Sequence, residues 1–185
     1  VPVSGGKDGS YVAYTLKHQY GMNPLCVTIT PPLSLELGDQ NLKAFVESGY
    51  SHLSVNAPYN AMQVLNKQGL LDMGFPYYGW LIAIKSAPIN LAARLGISLI
   101  FYGEDGEVEY GGSTETDKNP VYGINYIKKV YLEGGYSKVL NNTSLDPKDL
   151  NFFHFPSDDI LEKTLLDITH WSYFENWDPY RNKTN

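Results

Sequence analysis

The chain has 185 residues, of which 43% are hydrophobic and 14% aromatic, and it carries 14 basic against 20 acidic side chains for a net charge of −6. A net-negative surface repels phosphate polymers, so nucleic acid is a poor partner. No apolar run approaches the roughly 18 residues of a membrane span, no basic-then-apolar leader opens the chain, and Cys26, the only cysteine, has no mate for a disulfide or a zinc site, so residues 1–185 read as a single cytoplasmic globular domain.

The first stretch, "VPVSGGKDGSYVAYTLKHQYG", begins with strand-forming valines and passes through a tight glycine turn. Val12, Leu16 and Tyr20 then fall on one helical face beside Ala13, which predicts a helix stopped by Gly21. "PLCVTIT" predicts a buried strand with Cys26 in the core. "PPLSLELGDQNLKAFVESGY" reads as a loop and a helix with Leu42, Phe45 and Val46 inward, and "SHLSVNA" as the next strand. In "GWLIAIKSAPINLAARLG", Trp80, Ile84, Ala87, Leu91 and Leu95 recur at steps of three and four, predicting a buried helix that Pro88 kinks or splits. "ISLIFYGED" is an apolar strand expected beside the first one. Beyond it the pattern loosens, with a helix around 121–132, another near "DDILEKTLLD" and a last strand in "ITHWSYF". Strands alternating with helices imply an α/β fold, a three-layer α/β/α domain with a mostly parallel sheet of about five strands. The absence of an initiator methionine before Val1 and the polar "RNKTN" ending make the sequence read as incomplete at both ends.

A parallel sheet binds its ligand beyond the carboxyl ends of its strands, where Ser4 to Ser10 falls. Glycines there let backbone amides approach an anion, and the following helix presents its positive end, which together favour phosphate. Lys7 supplies a mobile cation, Asp8 can hold magnesium or cap the helix, and Ser4 and Ser10 can donate hydroxyl hydrogen bonds. The nucleotide-hydrolase pattern needs Ser or Thr after Gly-Lys, and Asp8 stands there instead. "GGKDG" also lacks the Gly-x-Gly-x-x-Gly spacing of dinucleotide folds. A turn that uses glycine for geometry alone is the bland alternative.

"GEDGEVEYGG" places Glu104, Asp105, Glu107 and Glu109 directly after an apolar strand. Acids in general are solvated. At a strand's carboxyl end facing the phosphate turn, however, Glu104, Asp105 and Glu109 are candidates to bind magnesium, an amine or an amide, with Glu107 exposed. His18, His52, His154 and His170 lack metal-binding spacing and read as structural. The Asn-x-Ser/Thr matches in "NNTS" and "NKT" read as chance.

"SGGKDGS" resembles the Ser-Gly-Gly-x-Asp-Ser signature of the PP-loop ATP pyrophosphatases, with Gly9 moving the second serine to Ser10. "LKHQYGMNPLCVTI", "NLKAFVESGY", "FPYYGW", "IFYGEDGEVEYGG" and "WSYFENWDPY" extend the likeness over most of the chain to one branch, the N-acetyl sugar amidotransferases of bacterial surface-polysaccharide and nonulosonic-acid biosynthesis. The resemblance implies the adenine nucleotide alpha hydrolase-like, HUP-type fold and the cofactors ATP and Mg2+, the metal on Asp8 and Asp105. It also implies nucleotide contacts from Ser4, Gly5, Gly6, Lys7, Asp8, Gly9, Ser10, Thr28, Ile29 and Gly103. Asn41, Tyr77, Tyr78, Trp80 and Tyr110 are the implied sugar-side contacts, and Lys7, Asp8, Glu104, Asp105 and Glu109 the implied catalytic set. The implied reaction adenylates the acetamido group of a nucleotide-linked sugar and replaces its oxygen with ammonia from a separate glutaminase subunit, in an assembly that can include a homo-oligomer. Members of the family often carry a cysteine-rich, zinc-binding segment ahead of the turn, and this sequence starts too late to show one. A tRNA-modifying PP-loop enzyme and a non-catalytic adenine-nucleotide module are the rival readings. The acidic charge and the lone cysteine argue against the first, and absence of pyrophosphate release would mark the second.

Overall fold

The computed structural model of the chain describes residues 1–104 and 119–184. Its strands are short and parallel. Helix α1 (Lys7–His18) leads to β1 (Leu25–Ile29), α2 (Glu36–Glu47) to β2 (Ser51–Val55), and the long pair α3 (Tyr59–Met73) and α4 (Tyr78–Leu95) to β3 (Leu99–Tyr102). A helical segment, α5 (Ile124–Tyr126), continues in π form through Ile127–Tyr131. It is followed by α6 (Tyr136–Asn141), α7 (Asp158–Thr164), β4 (Asp167–His170) and α8 (Pro179–Thr184). No helix among the described residues is long and apolar enough to cross a membrane.

Among the described residues the ladders form two sheets of two strands, where the alternation of elements suggests about five strands in one. β1 pairs with β2 from Leu25–Ser51 to Ile29–Val55, and β3 pairs with β4 from Leu99–Asp167 to Tyr102–His170. Residues 1–3 run along the other edge of β1: the Val27 amide donates to the Val1 carbonyl at 2.9 Å, and the Val3 amide to the Val27 carbonyl at 2.8 Å. Pro2, the alternate residue, turns its backbone edge away from β1 and has no N–H to extend a ladder there. The sequence therefore removes a donor at the seam between the two sheets.

The main core gathers Val27 and Ile29 from β1, Met62 and Leu65 from α3, Ile82, Ala83 and Ile89 from α4, and Ile100, Ile127, Leu132 and Phe153. Burying a side chain such as Ile82, fully enclosed here, contributes roughly 1.5–3 kcal/mol. Glycines let α3 and α4 lie close together. A Cβ added at Gly69 would meet the Tyr78 Cβ at 2.2 Å, and one at Gly79 the Leu65 Cβ at 2.7 Å.

Helix α4 stays in one piece through Pro88. Proline cannot donate to the carbonyl four residues back. That carbonyl, on Ile84, accepts instead from the Tyr102 hydroxyl at 3.3 Å. The buried face of α4 is also broader than the spacing of three and four predicts. Lys85, Ser86, Ile89 and Ala92 are buried, Trp80, Ile84 and Leu91 are half-buried, and Leu95 is exposed. Tyr20, expected on the inner face of α1, lies beyond the helix end and is exposed. Leu42, Phe45 and Val46 do form the inner face of α2, which is half-buried.

Candidate functional site

The turn from Ser4 to Ser10 joins the 1–3 segment to α1. Gly6 enters the helix with extended backbone (φ −79°, ψ 169°) and no side chain caps the first turn, so its amides face outward at the positive end of a twelve-residue helix. Three close approaches hold the turn. A Cβ on Gly5, whose φ is +79°, would sit 2.7 Å from the Leu42 nitrogen of α2. One on Gly9 would sit 2.6 Å from the Pro2 carbonyl oxygen, and one on Gly103, just past β3, 2.6 Å from the backbone of Asp8 and Gly9. At position 9 only glycine fits without a shift, because α1 presses on the backbone of Pro2 and Val3 there. The Ser10 hydroxyl donates to the Gly6 carbonyl at 2.7 Å, whereas Ser4 is exposed.

Two pockets flank the turn. The strand-end pocket, about 180 Å³, brings Ser4, Gly6, Asp8, Gly9, Ile29, Trp80 and Glu104 together at the carboxyl ends of the strands. The second, about 350 Å³, lies toward α2 and includes Gly5, Gly6, Lys7, Ser10 and Asn41. A third cavity at the amino ends of the strands is lined by Leu16, Met22, Leu25, Leu91 and Ile97 among others. It offers no titratable side chain for chemistry.

Asp8 is the hub of the turn. Its Oδ2 accepts from Lys7 Nζ at 2.6 Å, while Oδ1 accepts from Trp177 Nε1 at 3.1 Å and Asn182 Nδ2 at 2.9 Å. Lys7 also lies 4.8 Å above the Trp177 ring. Glu175 secures this C-terminal stretch to α1, accepting from Trp171 Nε1 at 2.9 Å and Tyr11 Oη at 3.1 Å and pairing with Arg181 at 2.8 Å.

Glu104 stands at the mouth of the strand-end pocket, its Oε2 buried with no hydrogen-bond partner among the described residues. Its backbone is fixed from β4: His170 Nδ1 donates to the Glu104 carbonyl at 3.0 Å. Burial, and then the Lys85 ammonium nearby, hold the His170 imidazole at about 3, far below its ordinary value. The ring is therefore neutral, with a bare Nε2 lone pair. It stacks on Tyr122 at 5.2 Å, with Tyr102 and Tyr131 alongside, and Lys85, fully buried, lies 4.2 Å over Tyr102 and 4.8 Å over Tyr131. No motif marks His170, Lys85 or Asn182, and Trp177 falls in "WSYFENWDPY" without a role read for it there. The one signal for His170 is that it ends a strand paired with the strand leading into Glu104.

Other candidates sit elsewhere. Thr28 is buried, its hydroxyl donating to the Val3 carbonyl at 2.7 Å, and it lines neither pocket. Ile29 reaches the strand-end pocket, where its carbonyl accepts from Trp80 Nε1 at 3.4 Å. Tyr78 is a core residue and not a sugar contact: it is buried, its hydroxyl donates to the Leu132 carbonyl, and burial pushes its ionisation upward. Tyr77 caps the start of α4 outside both pockets. Asp105, Glu107, Glu109 and Tyr110 lie outside the described residues.

Magnesium needs few protein ligands when phosphates and water complete its shell. No cluster of three or more metal-binding side chains occurs among the described residues, and Asp8 already has three partners. The unpaired Glu104 carboxylate oxygen fits a single-carboxylate magnesium site better than Asp8 does. The chain matches no protein-family model, and no curated protein matches it.

Proposed function

We propose that the chain is an ATP-dependent amidotransferase of the PP-loop type, which adenylates the acetamido group of a nucleotide-linked N-acetyl sugar. Its reading as a five-stranded PP-loop domain rests on residues 1–3 lying along β1 and on Gly103 packing against Asp8, an arrangement that fits the strand order β2, β1, 1–3, β3, β4. The observation that carries the function is the strand-end pocket. Ser4, Gly6 at the uncapped start of α1, and Glu104, whose Oε2 has no hydrogen-bond partner among the described residues, line it together with Ile29 at the end of β1.

An amide carbonyl is a poor electrophile, and ammonia does not displace its oxygen unaided. In the proposed reaction the acetamido oxygen attacks the α-phosphorus and pyrophosphate leaves. Ammonia then adds to the activated carbon, and AMP departs with the oxygen to give the acetamidino sugar and a released proton. The chain's contribution is placement and charge stabilisation. Amides of the first turn of α1 hold the departing phosphates, and Lys7 moves from Asp8 onto them. Glu104, held by His170, accepts a hydrogen bond from the amide N–H or from ammonia. Glu104 would hold magnesium, which would supply positive charge beside the phosphates. Cys26 is buried in the core beside Val3 and Ala13, where burial raises its thiol, so it is not the nucleophile that releases ammonia from glutamine; in this reading a glutaminase supplies the ammonia.

Pyrophosphate release with sugar nucleotides, ammonium salt and ATP tests the reading. Lys7→Ala and Asp8→Ala should abolish release with the fold retained. ADP as the sole nucleotide product, or stimulation by tRNA alone, overturns it. Binding of ATP without turnover by the whole protein favours a non-catalytic module.

A further inference from the structure

The pocket on the α2 side of the turn has its own chemistry. Its lining includes two ammonium groups, Lys7 and Lys183, and no carboxylate, on a chain whose net charge is −6. Phe45 and Tyr50 also line it, their rings stacked on each other with centroids 4.4 Å apart and planes within 9°, and Lys17 lies 4.6 Å over the Tyr50 ring. At its base Asn182 is only 7% exposed. Its amide nitrogen donates to Asp8, and its Oδ1 has no hydrogen-bond partner among the described residues. A buried carbonyl oxygen without a donor is costly, and a ligand hydroxyl would relieve it.

These features ask for one molecule that combines anionic oxygens, a planar ring and a free hydroxyl. Lys183, the lysine not paired with Asp8, meets the charge, Phe45 at the end of the stack offers an aromatic ring, and Asn182 takes the hydroxyl hydrogen. The volume of about 350 Å³ falls within the range of small-ligand sites. We propose that this pocket is a nucleoside diphosphate site, separate from the strand-end pocket, that grips the nucleotide part of the sugar substrate. It rests on the functional reading above only in making that nucleotide the substrate's handle. Gly6 lines both pockets, so the two ligands would meet across the same turn.

Calorimetric titration of the whole protein with UDP, alone and with saturating α,β-methylene-ATP and magnesium, tests the site. UDP should bind at one equivalent in both cases. Lys183→Ala should weaken UDP at least tenfold and Lys183→Glu further, while each leaves the affinity for the ATP analogue within twofold. Lys183 is exposed, so both variants should fold. Displacement of UDP by the analogue, unchanged UDP affinity in the Lys183 variants, or pyrophosphate binding as tightly as UDP overturns the proposal. Failure of the analogue itself to bind would remove the ATP reading and leave Lys183-dependent UDP binding standing.

Discussion

His170 offers a test that needs no substrate. Its imidazole is 6% exposed and is held at about 3, against about 6.5 for an unfolded histidine. Below pH 6.5 the unfolded chain takes up a proton that the folded chain refuses until about pH 3. The stability that this group contributes is therefore complete above pH 6.5 and declines as pH falls between those values. From pH 8 to pH 5 the loss comes to about 2 kcal/mol, or roughly 1 M in urea midpoint for an m-value of about 2 kcal/mol/M. Carboxylates add their own pH dependence, so the comparison is with His170→Asn, which keeps a donor toward the Glu104 carbonyl but does not titrate. Urea unfolding of both proteins across this range should show the wild type losing about 2 kcal/mol more than the variant. Parallel curves would refute the argument, because they would mean that His170 ionises in the folded protein much as it does in water.

Gly103→Ala puts a Cβ 2.6 Å from the backbone of Asp8 and Gly9. It should cost roughly 1–3 kcal/mol in thermal unfolding and, by displacing the turn, lower pyrophosphate release on the order of 100-fold. Tyr102→Phe removes the donor that serves the Ile84 carbonyl and should cost about 1 kcal/mol. In a Pro88→Ala background the helix supplies its own N–H to that carbonyl, so a double-mutant cycle in urea should show a smaller cost there. Tyr78→Phe leaves the buried Leu132 carbonyl without this donor. It should lower stability by about 1–2 kcal/mol while calorimetry finds ATP-analogue affinity unchanged.

Local patterns announced some parts of this molecule well. The β-branched run around Val27 and the spacing of Val12 and Leu16 mark β1 and α1, and the small residues from Ser4 to Ser10 mark the turn between strand and helix. Helix α3 left no comparable trace. Its inner face is Ala61, Met62, Leu65 and Gly69, where small residues do the packing and no strong apolar stripe appears. The stripe on α4 is misleading because the middle of the helix is buried on most of its circumference, including Lys85, whose charge lies over aromatic rings. Residues 1–3 bridge to β1 only at Pro2, which has no N–H to offer a strand on its other side, and helical or strand periodicity does not encode such a pairing effect. The site divides similarly. The turn and Glu104 are readable from local chemistry, whereas Trp177, Asn182 and His170 join it through contacts spanning at least 66 positions.

That long reach governs the order in which a nascent chain can finish its work. When Asp8 emerges from the ribosome, two of the groups that hold its carboxylate are still 169 and 174 residues away. At translation rates of roughly 5–20 residues per second, the interval is about ten to thirty-five seconds. Throughout it, α1 waits for these contacts, and a chain halted before Trp177 would carry a glycine turn whose anchor had never been made.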